Sequence, residues 1–276
     1  MTLRILLPIM TYPDMTPALA LARAADLAAT LKGGITAIVH EVDIPPIVNP
    51  VADFIVDLSE QAEAAERKSR GDGEMLAQEL KSICTRLGVP LSVEKLRARQ
   101  PWSDLIATKA RGFDLTMLAC LPQSPEHALL EQDVLFGSGG PVVIFPATDA
   151  PAHISTVAVA WDGGRAAARA VRDAIPILKE AGRVCLLTST QDKPISRASI
   201  DGIVALLSAH EIEVKPVSVS LNDRRVGDAL QEEALALDAG LLVMGAYGHS
   251  RMREFILGGA TTSALTGPRL PIFMSH

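Results

Sequence analysis

The chain has 276 residues, 48% hydrophobic but only 4% aromatic, with 26 Lys and Arg against 32 Asp and Glu. That length suits two ordinary domains, and that composition suits cores built from Leu, Val, Ile and Ala. A net charge of −6 without a basic patch argues against a nucleic-acid partner, and no apolar stretch reaches the roughly 20 residues that span a bilayer, so no membrane partner is expected.

RILLPIM opens the chain as a strand, because its apolar run is too short for a secretory leader. TPALALARAADLAATLKGG follows as an Ala-rich helix, with Thr16 as cap and Pro17 at the first helical position. ITAIVHEV is a second strand. Residues 51–88 read as one long amphipathic helix, with a break expected near Gly71 and Gly73. LSVEKL, a helix opening at Ser103, LTMLA and PVVIFP complete the first half. Gly137, Gly139 and Gly140 read as a turn before its last strand. After PATDAPAHIS, a Pro-containing linker that sets the boundary near residue 150, the order returns: ISTVAVAWD, RAAARAVRDAIPILKEAG, RVCLLTST, SRASIDGIVALLSAHE, VKPVSVSL, GDALQEEALAL, LLVMG and PIFMSH. Asp228 places negative charge at a helix entrance, and Gly88 and Gly182 fall where helices should stop.

ALALARAADL aligns with AAARAVRDAI at an offset of 148, which falls to 130 at Pro141 and Pro271, so the first copy carries the longer insertion. Short continuous Val/Ile/Leu runs fit strands buried on both faces of a parallel sheet. Strand–helix alternation then predicts an α/β fold, doubly wound, in two tandem open-sheet domains: 1–150 and 151–276. Cys84, Cys120 and Cys185 are scattered, without CxxC or zinc spacing, as in buried thiols of a reducing, cytoplasmic compartment.

Chemistry concentrates in LLVMGAYGHSRMREFILGGATTSAL, where Gly245, Gly248, Gly258 and Gly259 form G-x2-G-x9-G-G directly after a strand. Glycines at the carboxyl end of a parallel strand let backbone approach a ligand, and amides before a helix suit a phosphate; tight turns would also explain them. Thr261 and Thr262 add hydroxyls. Asp162 ends the first strand of the same half, beside the topological switch point, where a carboxylate meets an adenine amino group or a ribose hydroxyl, or else caps the turn into Gly163-Gly164. Arg251 suits either a phosphate or a pair with Glu254.

AWDGGRAAARAVRDAIPIL and VMGAYGHSRMREFILGGATTSAL resemble the first βα unit and the loop of universal stress proteins. The resemblance covers the chain as a tandem pair and implies a five-stranded parallel sheet in each half, order 3-2-1-4-5. It also implies binding of ATP or a related adenine nucleotide with a divalent ion such as Mg2+, in a stress sensor or regulator. Asp162 would meet the adenine or ribose, Thr188 would offer backbone contacts to the base, and Met244 and Gly245 would line the adenosine. Gly248, Gly258, Gly259 and Ala260 would hold the phosphates. Gly259 stands where the family has Ser or Thr. The missing hydroxyl contributes about 1 kcal/mol, or about 1.5–3 if charge-assisted, roughly 5- to 150-fold in affinity, unless Thr261 replaces it.

In the first copy, MLACLP replaces VMGAYG: Ala119 and Cys120 stand at Gly245 and its neighbour, and Pro122 at Gly248. No aspartate ends the first strand, although Asp14 comes shortly after, so this half is expected to hold no nucleotide. Without a P-loop, HExxH or GxSxG, fast phosphoryl transfer has no visible machinery, and weak ATPase activity is the most expected of an enzyme here. The competing reading is a nucleotide-free interaction scaffold, with a small ligand in the first half. The final strands of the two copies are expected to meet across a pseudo-two-fold, as the route of self-association.

Overall fold

The computed structural model describes residues 2–45, 58–99, 102–148, 150–151, 153–189, 194–246 and 267–276. The first half runs β1 (Leu3–Ile9), α1 (Ala18–Thr30), β2 (Gly33–Val42), α2 (Leu58–Leu87), β3 (Leu91–Ala98), α3 (Ser103–Ala110), β4 (Leu115–Cys120), α4 (Pro125–Gly137) and β5 (Val142–Pro146). The second runs β6 (Thr156–Ala160), α5 (Arg165–Leu178), β7 (Arg183–Thr188), α6 (Arg197–Ala209), β8 (Val214–Ser218), α7 (Val226–Ala236), β9 (Leu241–Gly245) and β10 (Ile272–Ser275).

The ten strands form one sheet, β3-β2-β1-β4-β5-β10-β9-β6-β7-β8. Each half has the 3-2-1-4-5 order that the resemblance implies, and all pairing within a half is parallel. The halves join through antiparallel β5 and β10, Phe273 opposite Val143. The final strands thus meet inside one chain, each with a strand on both sides, so neither offers an open edge to a second chain.

Two core layers flank the sheet, and both run through the seam. One lies under α1, α2, α5 and α6 and includes Val143 and Phe273. The other lies under α3, α4 and α7 and includes Ile144 and Ile272. Alanines do much of the packing: Ala20, Ala24, Ala25 and Ala28 bury one face of α1, and their small side chains bring the helix close to the strands. With few aromatics available, close approach replaces bulk as the source of packing density.

Several local expectations need correction. α2 is unbroken through Gly71 and Gly73. Gly73 lies close against the sheet: a Cβ there would stand 2.8 Å from Val39 Cγ1. Thr16 is not the cap of α1. Pro17 takes that position, while Thr16 Oγ1 accepts the Met10 N–H at 2.9 Å and closes the loop. α3 does open at Ser103, whose hydroxyl donates to Asp133 on α4. Gly182 lies beyond the end of α5; its hydrogen faces the Ser155 carbonyl, which a Cβ would approach to 2.9 Å. Gly88 does follow α2, at φ +70°, and Asp228 does lie in the first turn of α7.

Candidate functional site

In a doubly wound sheet the crevice opens where strand order reverses, beyond the carboxyl ends of the two central strands. In the second half these are β6 and β9, whose register sets Val159 beside Val243. Counting on along both strands brings Asp162 level with Ala246.

The turn from β6 into α5 is built around the Asp162 carboxylate. Its Oδ1 accepts the Gly164 N–H at 2.7 Å. Gly163 adopts φ +74°, a conformation that costs glycine little. A Cβ at Gly164 would lie 2.9 Å from Asp162 Oδ1. Both glycines therefore let the carboxylate fold back over the entrance of α5, whose cap is Gly164. Trp161, just before, is buried; its N–H donates to Leu187 O at 2.9 Å and its Nε1 to Ser199 Oγ at 3.2 Å. This Trp161–Ser199 pair ties the strand end to α6. Sequence reading passed over it, because nothing local links residues so far apart.

Gly245 touches the same first turn of α5. A Cβ there would stand 2.3 Å from Ala167 N and 2.5 Å from the Ala166 carbonyl carbon, so close packing of helix on strand requires glycine. Met244 is only 4% exposed and belongs to the core layer under α7. Thr188 is half-buried at the end of β7, and its carbonyl accepts the Val219 N–H at 2.8 Å. The structure thus brings Asp162 and Gly245 to one helix entrance, sets Thr188 on the adjacent strand β7 at the same end of the sheet, and sends Met244 into the core. Gly248, Arg251, Gly258, Gly259, Ala260 and Thr261 lie outside the described residues, as do His249 and Glu254.

The first half differs at each matching place. Ile5 pairs with Leu115 as Val157 pairs with Leu241, so Met10, fully buried, stands where Asp162 stands. Helix α2 closes over the ends of β1 and β2. Thr11 Oγ1 donates to His40 O at 2.6 Å and receives Ser69 O–H at 2.6 Å, and Ser69 Oγ accepts the Val42 N–H at 3.0 Å. His40 stacks on Trp102, ring centroids 4.2 Å apart, and burial lowers its pKa. A neutral ring then donates from Nε2 to Ala98 O at 3.1 Å, and Nδ1 stays without a hydrogen-bond partner.

Three further titratable groups lie where α4 meets the sheet. Burial pushes the Glu131 carboxyl up to about 8, with the Cys120 thiol donating to it. Desolvation raises the Cys120 pKa in turn, which makes the thiol unreactive. Burial lowers His127 to about 4, so it is neutral at physiological pH; its Nδ1 lies 3.0 Å from Ser124 Oγ. Among the described residues no group of three His, Cys, Asp or Glu could hold a metal ion, and no helix is long and apolar enough to cross a membrane.

No protein-family model and no curated protein matches the chain. Among solved structures it is similar to a universal stress protein from Archaeoglobus fulgidus, at a TM-score of 0.65 and 18% identity, covering 98% of this chain and 95% of that one. It is also similar to a universal stress protein in complex with cAMP, at a TM-score of 0.32 and 23% identity, over 44% of this chain and 96% of that one. At such identities the likeness concerns the fold. With a shared 3-2-1-4-5 order in both halves and one sheet across the seam, the chain has the tandem fold of the universal stress proteins.

Proposed function

We propose that this protein binds an adenine nucleotide, ATP or a relative, in the crevice of residues 151–276 and serves as a stress sensor or regulator. The observation that carries the reading is the Asp162 carboxylate. It is anchored by the Gly164 N–H at the switch point of a doubly wound sheet, level with the start of the G-x2-G-x9-G-G segment in the sequence. A carboxylate there accepts hydrogen bonds from ribose hydroxyls or an adenine amino group, while glycine amides face phosphate. Mg2+ would be held through the phosphates, since no protein cage for it exists among the described residues. Residues 1–150 would not take part. Buried Met10 replaces the carboxylate, and α2 packs onto the ends of β1 and β2 through Thr11 and Ser69.

Purified protein should release an adenine nucleotide detectable by mass spectrometry and should bind a fluorescent ATP analogue. Asp162→Ala should weaken that binding about tenfold, as loss of a charged hydrogen-bonding partner does, and Gly248→Val should abolish it. A second reading, a nucleotide-free interaction scaffold, draws on the fact that Gly245 and Asp162 each have a packing or turn role of their own. Absence of binding at millimolar nucleotide would select the scaffold.

A further inference from the structure

The first half retains a cavity of about 650 Å3 at the carboxyl ends of β1, β4 and β5, within the range of small-molecule sites. Its walls come from both halves: Pro13 after β1, Pro122 after β4, Pro146 at the end of β5, and Pro268 ahead of β10. Four prolines give it little freedom to collapse. The Pro268 side is further pinned by its neighbour, whose backbone N–H donates to buried Gln231 at 2.7 Å.

The polar groups on the wall decide what fits. Ser124, 3% exposed, is held by His127, whose Nε2 is buried without a hydrogen-bond partner. Lys68 faces the cavity, but its ammonium is already paired with Asp72 at 3.0 Å. Asp14, exposed at the mouth, also lines the cavity; its charge acts on nearby His127, which burial keeps neutral, and its carboxylate makes no hydrogen bond or ion pair among the described residues. The start of α4 does not offset this negative charge. Pro125 lacks an amide donor there, and Glu126 already supplies an anion to the first turn. The site has no glycine amides for phosphate, one compensated cation and one uncompensated anion, set among Met15, Leu121 and prolines.

We propose that this seam cavity is a second ligand site, specific for a small organic ammonium ion with an apolar body, with Asp14 as its counter-ion. It stands independently of nucleotide binding in the other half.

Saturation-transfer NMR on the full chain with benzylamine, benzyl alcohol and benzoate tests it, because the three probes share a ring and differ in charge. Benzylamine should bind about fivefold more tightly than benzyl alcohol, the ratio that a partly exposed ion pair supplies, and benzoate should not bind. Asp14→Asn should bring benzylamine to the level of the alcohol, and Ala147→Phe should weaken both by filling the cavity. Where Ala147→Phe fails to fold, Gln123→Trp at the exposed rim replaces it. Equal binding of the three probes, a preference for benzoate, no binding of any, or benzylamine binding unchanged in Asp14→Asn overturns the proposal. So does displacement of benzylamine by ATP, which would put the amine in the other crevice. Failure of ATP to bind at all leaves the amine result standing and removes only the nucleotide reading.

Discussion

A methyl group at Gly245 would have to enter space held by the backbone of Ala166 and Ala167, which cannot rotate away. Gly245→Ala should therefore lower stability by about 1–3 kcal/mol, the usual cost of overpacking, whether or not the protein carries a nucleotide. Chemical denaturation of the ligand-free protein checks this; a neutral Gly245→Ala would mean that helix and strand are not in this contact. Asp162 is the complement. It is half-buried at the surface of the crevice and carries a turn hydrogen bond. Its replacement by Asn preserves an acceptor for Gly164 N–H and should cost stability little, while removing the charge offered to a ligand. The residue types at both places were legible in the sequence. The turn role of Asp162 was legible too, because its partner Gly164 lies two residues on; the packing reason for Gly245 was not, because Ala166 and Ala167 belong to another element.

Helix α2 puts the same point at the next scale. Glycine in a helix interior costs about 0.5–1 kcal/mol relative to alanine, which makes a break near Gly71 and Gly73 a reasonable expectation. The helix survives because its neighbours use one of the two. A Cβ at Gly71 meets nothing within 4 Å, whereas one at Gly73 meets Val39. Gly71→Ala should raise stability by about 0.5–1 kcal/mol, and Gly73→Ala should lower it, with thermal unfolding as the readout. Helix α4 holds the opposite surprise, since two of its inward positions are His127 and Glu131. Glu131 titrates near 8 when folded and at the ordinary carboxylate value when unfolded, so its protonation stabilises the fold and is lost as pH rises through about 8. His127, lowered to about 4, acts the other way: stability present above pH 6.5 is lost as pH falls toward 4. Between about 4.5 and 6.5 the two slopes oppose each other, leaving a net decline from pH 6.5 to 8. Glu131→Gln should flatten that decline, measured as denaturation midpoint against pH. Helical periodicity assigns these positions to the buried face but does not say that a carboxyl will fill one of them.

Across the whole molecule, the repeat in the sequence carried the topology well. Runs such as TVAVA and LLVMG are buried on both faces, and strand–helix alternation fixes the crossovers, so local pattern and global order coincide. What pattern could not supply was the seam cavity, whose wall at Pro268 comes from the other half of the chain while the rest comes from separate loops of the first half. The seam also governs cooperativity. β5 and β10 pair directly, and both core layers continue across them, so separating the halves would expose Val143, Ile144, Ile272 and Phe273 together with two strand edges. The outer edges are guarded differently. β3 carries Lys95 and Arg97 in ion pairs with Glu41 and Asp43, and β8 contains Pro216, both recognised ways of discouraging strand addition. An unguarded inner edge and a shared core predict that the two halves unfold as one unit. The chain has two tryptophans, Trp102 in the first half and Trp161 in the second. In Trp102→Phe and Trp161→Phe variants, each with a single tryptophan, the fluorescence midpoint should coincide with the far-ultraviolet circular dichroism midpoint of the same variant. If the remaining tryptophan reported an earlier or later transition than the backbone, the halves would be stable apart and the seam a loose contact. Coincidence in both variants means that the antiparallel pairing of β5 with β10 carries enough of the stability to bind two copies of one fold into a single folding unit.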